Sequence, residues 1–366
     1  MQDNSSNKIE YKTDYKDYRN HIVIMISTDK MIINERSAVR SRMIDYAKDY
    51  KELHIIVFST QKYYFHNESM PENLFIYSTN SFSKLTYINT AYKIGRKILK
   101  NTAKTEKLLI SCQDPFETGL VGKKLANLRN DSELLLQIHT DLFSPYFTSG
   151  YCIGWKNALL NKIRLFISKF ILPHAQVIRV VSSKIADSLV MRGLNAEKII
   201  IKPIAINEDY IRNTAPLFIL REKFPQFKKN ILVISRLESE KNIEMAIKAM
   251  KILHSRANSV TDGTGLIIVG SGSLMNSLKK FVYKLDMSQN VIFEGWQSDT
   301  VSYYKGCDIV LVTSWYEGYG MVLKEAQIAG KKIVSTDVGI AREVGAEIVE
   351  WKAESIAKIL QKSLQI

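Results

Sequence analysis

The chain has 366 residues, of which 46% are hydrophobic and 24% charged, with a net charge of +14 and a pI near 9.4. This length exceeds what one hydrophobic core usually organises, so two domains of an ordinary globular protein are expected. The positive charge predicts an anionic partner, which is nucleic acid, an anionic membrane surface or a ligand that carries phosphate.

The cysteines and the N-terminus predict a cellular compartment. Cys112, Cys152 and Cys307 are too few and too widely spaced for a zinc site or a disulfide framework, which fits a reducing cytoplasm. Residues 1–20 are polar and lack the apolar core of a secretory signal, and no later apolar run reaches the roughly 18 residues of a membrane span. We therefore expect a cytoplasmic protein that is neither secreted nor integral to a membrane.

Short apolar runs with the character of strands alternate with stretches of helical period along the whole chain. In the first half these runs cover residues 21–28, 53–60, 107–112, 134–139 and 176–182. In the second half they cover residues 231–236, 266–272, 291–296, 308–314 and 332–336. This alternation predicts an α/β fold with two doubly wound parallel sheets, one in each half of the chain.

The boundary between the two domains is predicted within residues 205–225, where polar residues and prolines interrupt the pattern. We expect a mobile tail over residues 1–18, a first domain over residues 19–210 and a second over residues 211–366. Open parallel sheets bind ligands beyond the carboxyl ends of their strands, so the cleft between the domains is the expected site.

A basic segment without acidic residues lies between Asp141 and Asp187, and a second basic segment covers residues 93–100. Two interpretations of the first segment stay open. Its apolar stripe faces the core of the domain, or it rests with its basic neighbours on anionic lipid. The stripe consists of apolar residues at helical spacing: Leu159, Leu160, Ile163, Phe166, Ile167, Phe170 and Ile171.

Two cations open the second domain. Arg236 stands at the carboxyl end of a predicted strand, and Lys241 lies five positions later, where the next helix is predicted to start. A guanidinium and an ammonium group in this place are suited to bind a diphosphate and to neutralise it as a leaving group. Solvated loop cations are the alternative interpretation.

Residues 314–330, SWYEGYGMVLKEAQIAG, place Glu317 before a glycine turn and Glu325 in the helix after it. Gly318 and Gly320 permit close backbone approach, and the first amides of the helix form an anion site suited to phosphate. Glu325 lies about 7 to 8 Å from the helix start, where it can accept hydrogen bonds from a ribose. Glu317 would face the far side of the phosphate, where a sugar would lie. The alternative is a pair of solvated carboxylates.

As an ordered set, the motifs ISRLESEKN, IIVGSGS, VIFEGW and TSWYEGYGMVLKEAQIAGKKIVSTDVG resemble the C-terminal half of the retaining GT-B glycosyltransferases of family 4, the glycosyl transferases group 1. The resemblance covers residues 231–345 and is weak before them. It implies two Rossmann-like domains that face a central cleft. It also implies a nucleotide-diphosphate sugar on the second domain and a hydroxyl acceptor on the first, a lipid-linked or cell-surface glycan. The implied catalysis needs neither metal nor cofactor, and no nucleic acid is an expected partner.

The resemblance implies catalytic roles for four residues. Arg236 and Lys241 hold the diphosphate, Glu317 contacts the donor sugar, and His139, at the end of a predicted strand, faces the reaction centre. His139 by itself would equally be a structural histidine. The implied donor site also contains Gly270, Gly272, Trp296, Gly318, Gly320, Met321, Val322 and Glu325, of which Glu325 holds the ribose.

The chain departs from the family pattern in three places. Residues 27–47 have no glycine pair and several charges, of which Arg36 and Arg40 are candidates to bind an anionic acceptor. IKPIAIN stands where a Gly-hydrophobic-Asp pattern is common. Only one helix-like run follows residues 339–351, so the usual crossover helix is expected to be shortened or absent.

Other functions stay open. A nicotinamide-dependent oxidoreductase would use Gly270 and Gly272 as a dinucleotide fingerprint and Glu294 at the ribose, although the third glycine is missing. A glycoside hydrolase would use Glu317 and Glu325 across a sugar. A nucleotide-sugar epimerase shares the GT-B architecture, and a basic nucleic-acid-binding protein is the non-enzymatic alternative.

Overall fold

The computed structural model describes residues 11–13, 16–60, 68–69, 71–255 and 263–364. Contacts within the chain divide it into two compact units. The first unit comprises Met1–His139 and Leu160–Lys202, and the second comprises Thr140–Leu159 and Pro203–Ile366. Residues 140–159 and 203–210, which we expected in the first domain, thus belong to the second unit.

The first unit is built on an eight-stranded sheet. Its first strand is buried along its whole length, and because successive side chains point to opposite faces, both faces of the sheet are covered. The strand order is β3-β4-β2-β1-β5-β6-β7-β8, with β3 antiparallel to β4 and the other pairs parallel. The strands are β1 His21–Ser27, β2 Glu52–Val57, β3 Glu68–Ser69, β4 Leu74–Ser78, β5 Lys107–Cys112, β6 Glu133–Ile138, β7 Val177–Val180 and β8 Ile199–Ile201.

Helices connect these strands. The first of them begins after Ser37, whose hydroxyl accepts a hydrogen bond from the backbone N–H of Arg40 and so caps the helix. The helices of this part of the chain are α1 Ala38–Ala47, α2 Tyr87–Asn101, α3 Glu117–Ala126, α4 Gly150–Ile153, α5 Trp155–Ile171 and α6 Ser183–Val190. The short helix α4 and the first turn of α5 belong to the second unit by their contacts.

The second unit is built on a six-stranded parallel sheet with the order β11-β10-β9-β12-β13-β14. These strands are β9 Lys229–Ile234, β10 Thr264–Val269, β11 Val291–Gly295, β12 Ile309–Val312, β13 Lys332–Thr336 and β14 Glu347–Val349. The prediction of two doubly wound α/β domains is confirmed. The chain enters at β9 in the middle of the sheet, so the loops after β9, β10 and β12 are neighbours at the carboxyl edge.

The helices of the second unit end with α13, which packs against α9, β13 and β14 and buries Ile356, Ala357, Leu360 and Leu364. Besides α4 and the first turn of α5, they are α7 Glu208–Asn213, α8 Leu220–Lys223, α9 Ile243–Ser255, α10 Met275–Lys284, α11 Val301–Gly306, α12 Met321–Ile328 and α13 Ala353–Leu364. Among the described residues, none of the helices combines the length and the hydropathy of a membrane span.

The predicted N-terminal tail lies partly outside the described residues. Within the described part, Lys12 forms an isolated parallel bridge with Ile200, and the Tyr11 hydroxyl donates to Asp187 Oδ1 at 2.6 Å. Tyr18 is buried in the core of the first unit. These contacts attach the described residues of this segment to the sheet.

Candidate functional site

An ion pair joins two neighbouring loops at the carboxyl edge of the second sheet. Lys241 follows β9 and Glu317 follows β12, and Lys241 Nζ lies 2.6 Å from Glu317 Oε1. The two side chains are only 15% and 16% exposed. The hydroxyl of Ser314 donates to the same carboxylate oxygen at 2.7 Å. The structure therefore brings together two residues that the sequence singled out separately.

Backbone hydrogen bonds hold the same two loops together. The N–H of Trp315 donates to the carbonyl of Glu240 at 2.8 Å, and the Thr313 hydroxyl donates to the carbonyl of Asn242 at 3.0 Å. Asn242 has a φ of +50°, a left-handed conformation that asparagine tolerates and that ends the turn before α9. Backbone hydrogen bonds thus join the two loops in addition to the ion pair.

The glycine turn leads directly into α12. Gly320, with a φ of +82°, precedes the helix, and Met321 and Val322 form its first turn. The positive end of the helix dipole and the first amides of α12 therefore point toward the side of the turn that carries Gly318. This arrangement is suited to an anion such as phosphate.

The loop after β13 packs against the glycine turn. Gly339 has a φ of +49°, and a Cβ atom there would lie 2.3 Å from the carbonyl oxygen of Tyr319. The same oxygen accepts a hydrogen bond at 3.0 Å from the N–H of Ile340. Only glycine permits this close approach, and the position was not singled out from the sequence.

Glu325 is held by a buried tyrosine. The hydroxyl of Tyr304, on α11, donates to Glu325 Oε2 at 2.7 Å. Tyr304 is fully buried, and burial, followed by the nearby Glu325 charge, raises the pKa of its phenol well above the usual range. The Tyr304 hydroxyl therefore stays protonated, and its hydrogen bond fixes the direction of the Glu325 carboxylate. No sequence signal identified it, because a tyrosine in a short helix has no motif.

Gly270 and Gly272 allow the loops after β9 and β10 to touch. Gly270 has a φ of +135°, and a Cβ atom there would lie 1.8 Å from the carbonyl oxygen of Ser235. At Gly272 a Cβ atom would lie 2.4 Å from the carbonyl oxygen of Leu237. Both glycines thus allow the loop after β10 to pack against the loop after β9, which carries Arg236.

Arg236 and Trp296 are the exposed members of the predicted donor site. The Arg236 guanidinium is 72% exposed and donates to Glu240 Oε1 at 2.9 Å. Trp296 follows β11 and is also 72% exposed. Since β9, β10, β11 and β12 are parallel neighbours, all eleven predicted residues of the second unit lie in or after the loops at one edge of its sheet.

An aromatic cluster lines the loop that carries Glu317. The ring centroid of Tyr146 lies 5.2 Å from that of Trp315 and 4.8 Å from that of Trp351. The Trp351 indole N–H also donates to the Ser314 carbonyl at 2.9 Å. Residues 140–159 supply Tyr146 to this cluster, which explains why they belong to the second unit.

The predicted residues of the first unit have other surroundings. His139 follows β6, with Nε2 3.2 Å from Gln137 Oε1, and burial, followed by the Arg179 charge, lowers its pKa to about 4. Arg40 is buried and donates to the carbonyl of Ile33 at 3.2 Å, while Arg36 is exposed. His139 is therefore neutral at physiological pH.

Glu294, which the oxidoreductase alternative needs at a ribose, is engaged within the second unit. Its carboxylate accepts hydrogen bonds from Lys223 Nζ and from the Tyr303 hydroxyl, and its side chain is 13% exposed. Among the residues that the structure describes, no group of three or more His, Cys, Asp or Glu side chains is placed to hold a metal ion.

Comparisons with known proteins relate this chain to glycosyltransferases. The family model described as glycosyl transferases group 1 matches residues 219–356, most of the second unit. An uncharacterized glycosyltransferase of Methanocaldococcus jannaschii is 36% identical over 32% of this chain and 29% of its own length. The UDP-Gal:alpha-D-GlcNAc-diphosphoundecaprenol alpha-1,3-galactosyltransferase of Escherichia coli is 30% identical over 32% of this chain and 31% of its own. This chain therefore spans less than a third of either relative.

Solved structures match nearly the whole chain. The sucrose-phosphate synthase of Thermosynechococcus elongatus has a TM-score of 0.71 at 17% identity, over 94% of this chain and 90% of that one. The Anabaena protein HepE, solved with UDP and glucose, has a TM-score of 0.65 at 17% identity, with the same two coverages. The fold is the GT-B fold, as the sequence predicts.

Proposed function

We propose that this protein is a glycosyltransferase that moves a sugar from a nucleotide-diphosphate sugar to a hydroxyl acceptor. The observation that carries the proposal is the partly buried pair of Lys241 and Glu317 beside the N-terminus of α12. A cation, a carboxylate and a helix N-terminus meet there, which is the set of groups that a diphosphate with an attached sugar requires. The group 1 family match covers this same region.

In this proposal the donor lies along the carboxyl edge of the second sheet. Arg236 and Lys241 bind the diphosphate, with the amides of Met321 and Val322 beside it. An ammonium group has three N–H donors, so the bond from Lys241 to Glu317 is compatible with a diphosphate as a further partner. Glu325, fixed by its buried donor, binds the ribose hydroxyls.

The reaction that we propose retains the configuration at the anomeric carbon, as in family 4. The acceptor hydroxyl attacks this carbon from the side on which the diphosphate leaves. The bond from carbon to diphosphate breaks as the new bond to oxygen forms, and the hydroxyl proton passes to the departing diphosphate oxygen. Arg236 and Lys241 neutralise the growing charge on the diphosphate, and Glu317 orients the donor sugar. No metal ion or cofactor takes part.

The finer assignments rest on the relatives and on the charge of the chain. The E. coli relative is named for a UDP-sugar donor and a diphosphoundecaprenol-linked acceptor. We propose a hexosyl donor and a lipid-linked or cell-surface glycan acceptor for this chain, at the cytoplasmic face of a membrane. We also propose that His139 takes part in catalysis and that Arg36 binds an anionic acceptor.

The donor is tested by calorimetric titration with UDP-, GDP- and ADP-sugars and with NAD, in buffer with a metal chelator. One nucleotide-sugar should bind in the micromolar range, and Arg236→Ala should abolish the binding. Arg212→Ala is the matched control, because Arg212 is an exposed arginine that also pairs with a glutamate four positions away. Binding of NAD without any nucleotide-sugar would overturn the proposal.

Product analysis tests the reaction itself. NMR of the product should show the anomeric configuration of the donor, and an inverted product would contradict retention. A free nucleotide with an isomerised sugar and no acceptor product would instead identify an epimerase.

A further inference from the structure

Helix α5 packs on the protein with its small and polar side and turns its large apolar side chains to solvent. Ala158, Asn161 and Ser168 are buried on the inner side. The outer side carries six large apolar residues that are between 42% and 69% exposed: Trp155, Leu159, Leu160, Ile163, Phe166 and Phe170. Of the sequence-predicted stripe, Ile171 is buried and five of the remaining residues lie in the exposed set.

These exposed residues form one stripe along the helix. Trp155, Leu159, Ile163, Phe166 and Phe170 follow one another at spacings of four or three, so they share one face over the length of a helix of about 25 Å. A surface helix of a globular protein normally turns such a stripe to the core. The orientation of α5 is the reverse, so its apolar face is available to a partner.

Positive charge surrounds the stripe. Helices α2 and α5 each contain four Lys or Arg residues and no Asp or Glu. The helix α3 lies between them, because Gly95 of α2 packs against Leu125 of α3, and Glu117 of α3 pairs with Arg164 of α5 at 3.0 Å. The three helices therefore lie side by side, and the two that flank α3 carry positive charge only.

We propose that α5 lies in the surface of an anionic lipid membrane, with the side chains of Ile163, Phe166 and Phe170 among the acyl chains. Lys162 and Lys169, which flank the stripe, would contact the headgroup phosphates. A second copy of this chain on the same face would bring two positively charged helices together, and a nucleic acid has no apolar partner for the stripe. This proposal goes beyond glycosyl transfer and does not depend on it.

Sedimentation with vesicles tests the apolar part of the proposal. The protein should pellet with vesicles of equal parts phosphatidylcholine and phosphatidylglycerol, and stay in solution with phosphatidylcholine alone. Phe166→Ser together with Phe170→Ser should weaken binding by about tenfold or more, since partition follows the buried apolar area. Tyr283→Ser, a change at an 81% exposed aromatic residue of α10, should bind as the wild type does.

Two double variants of equal charge change test the role of the lysines on α5. Lys162→Glu with Lys169→Glu should also weaken binding by about tenfold or more. Lys279→Glu with Lys280→Glu, on α10, changes the net charge equally and should leave binding within about twofold of the wild type. Equal losses in the two charge variants would overturn the docking of α5, because they would show an effect of total charge alone.

The fluorescence of Trp155 reports the contact of α5 with the membrane in the wild-type protein. Its fluorescence should be quenched by vesicles with brominated acyl chains, and Trp155→Phe should remove most of that quenching. Failure of the wild-type protein to bind anionic vesicles, or a dimer that Phe166→Ser with Phe170→Ser dissociates, would overturn the proposal. Because no donor or acceptor is present, these outcomes are independent of the nucleotide-sugar titrations.

Discussion

The carboxyl edges of the two sheets are built differently. In the second unit the loop side chains bond to one another across the edge, as Lys241 does with Glu317. In the first unit the loops after β1 and β4 turn large apolar residues to solvent, and Met31, Phe82 and Leu85 are between 47% and 91% exposed. The loops of the first edge also bond to one another, as the Ser27 hydroxyl does with Gln113 Oε1 at 2.6 Å, but this edge exposes large apolar side chains as well. We call the second edge assembled and the first edge open.

The family match lies on the assembled edge. Contacts between loops require particular residue types at fixed positions, such as a cation opposite a carboxylate or a glycine opposite a carbonyl. The match to the group 1 model covers residues 219–356, where these contacts occur. In the proposed function, these contacts constrain the parts of the donor site, and the first unit supplies the acceptor site.

The largest expected effect tests the assembled edge. Lys241→Ala should reduce the rate of sugar transfer by about a thousandfold, because the diphosphate loses a charge partner in a mostly buried site. Lys248→Ala on α9 is the control, since Lys248 is 50% exposed and its removal should leave the rate unchanged. The measurement is the initial rate with the donor identified by titration, and a near-normal rate in Lys241→Ala would refute the diphosphate assignment.

The next effect concerns the glycine contacts of the same edge. Gly270→Ala should lower the free energy of unfolding by more than about 3 kcal/mol, because its Cβ would lie 1.8 Å from the Ser235 oxygen at a φ of +135°. Gly193→Ala, in the first unit, places a Cβ in open space at a φ of +85° and should cost only about 1 kcal/mol. Chemical unfolding measures both, and equal losses would show that the Gly270 contact relaxes.

Much of the fold could be predicted because its strands are buried on both faces and read as apolar runs. Each of the ten predicted runs overlaps an observed strand. The strands β3, β8 and β14 are only two or three residues long, too short for a pattern. The strand β4 was missed because its burial alternates and its sequence LFIYS is preceded by a polar segment.

The site was predictable only in part. Arg236, Lys241, Glu317 and Glu325 stand in motifs with fixed spacing, so they could be chosen from the sequence. The supports of the site come from distant segments, as Tyr304 does from α11. Such contacts follow from the order of strands in the sheet, which a sequence pattern does not specify. The orientation of α5 was undetermined for the same reason, because periodicity identifies a stripe and not what covers it.

The pH dependence of stability tests the surroundings of His139 at the open edge of the first unit. The folded protein keeps His139 neutral with a pKa of about 4, while the unfolded chain binds a proton below about pH 6.5. This group should therefore lower the free energy of unfolding by no more than about 3 kcal/mol as the pH falls from 6.5 to 4, and its contribution should be constant above that range. His139→Gln should remove this part of the dependence in urea unfolding. Identical pH profiles for the two proteins would contradict the buried neutral histidine.

The smallest expected effect tests whether Tyr304 positions Glu325 at the assembled edge. Tyr304→Phe removes the hydrogen bond to Glu325 and should raise the nucleotide Kd by about tenfold or less, with kcat nearly unchanged. Tyr303→Phe is the matched control, since the neighbouring hydroxyl donates to Glu294 and its loss should spare nucleotide affinity. Equal affinities in the two variants would mean that Glu325 holds its position without Tyr304, and the loops would then be less interdependent than their contacts indicate.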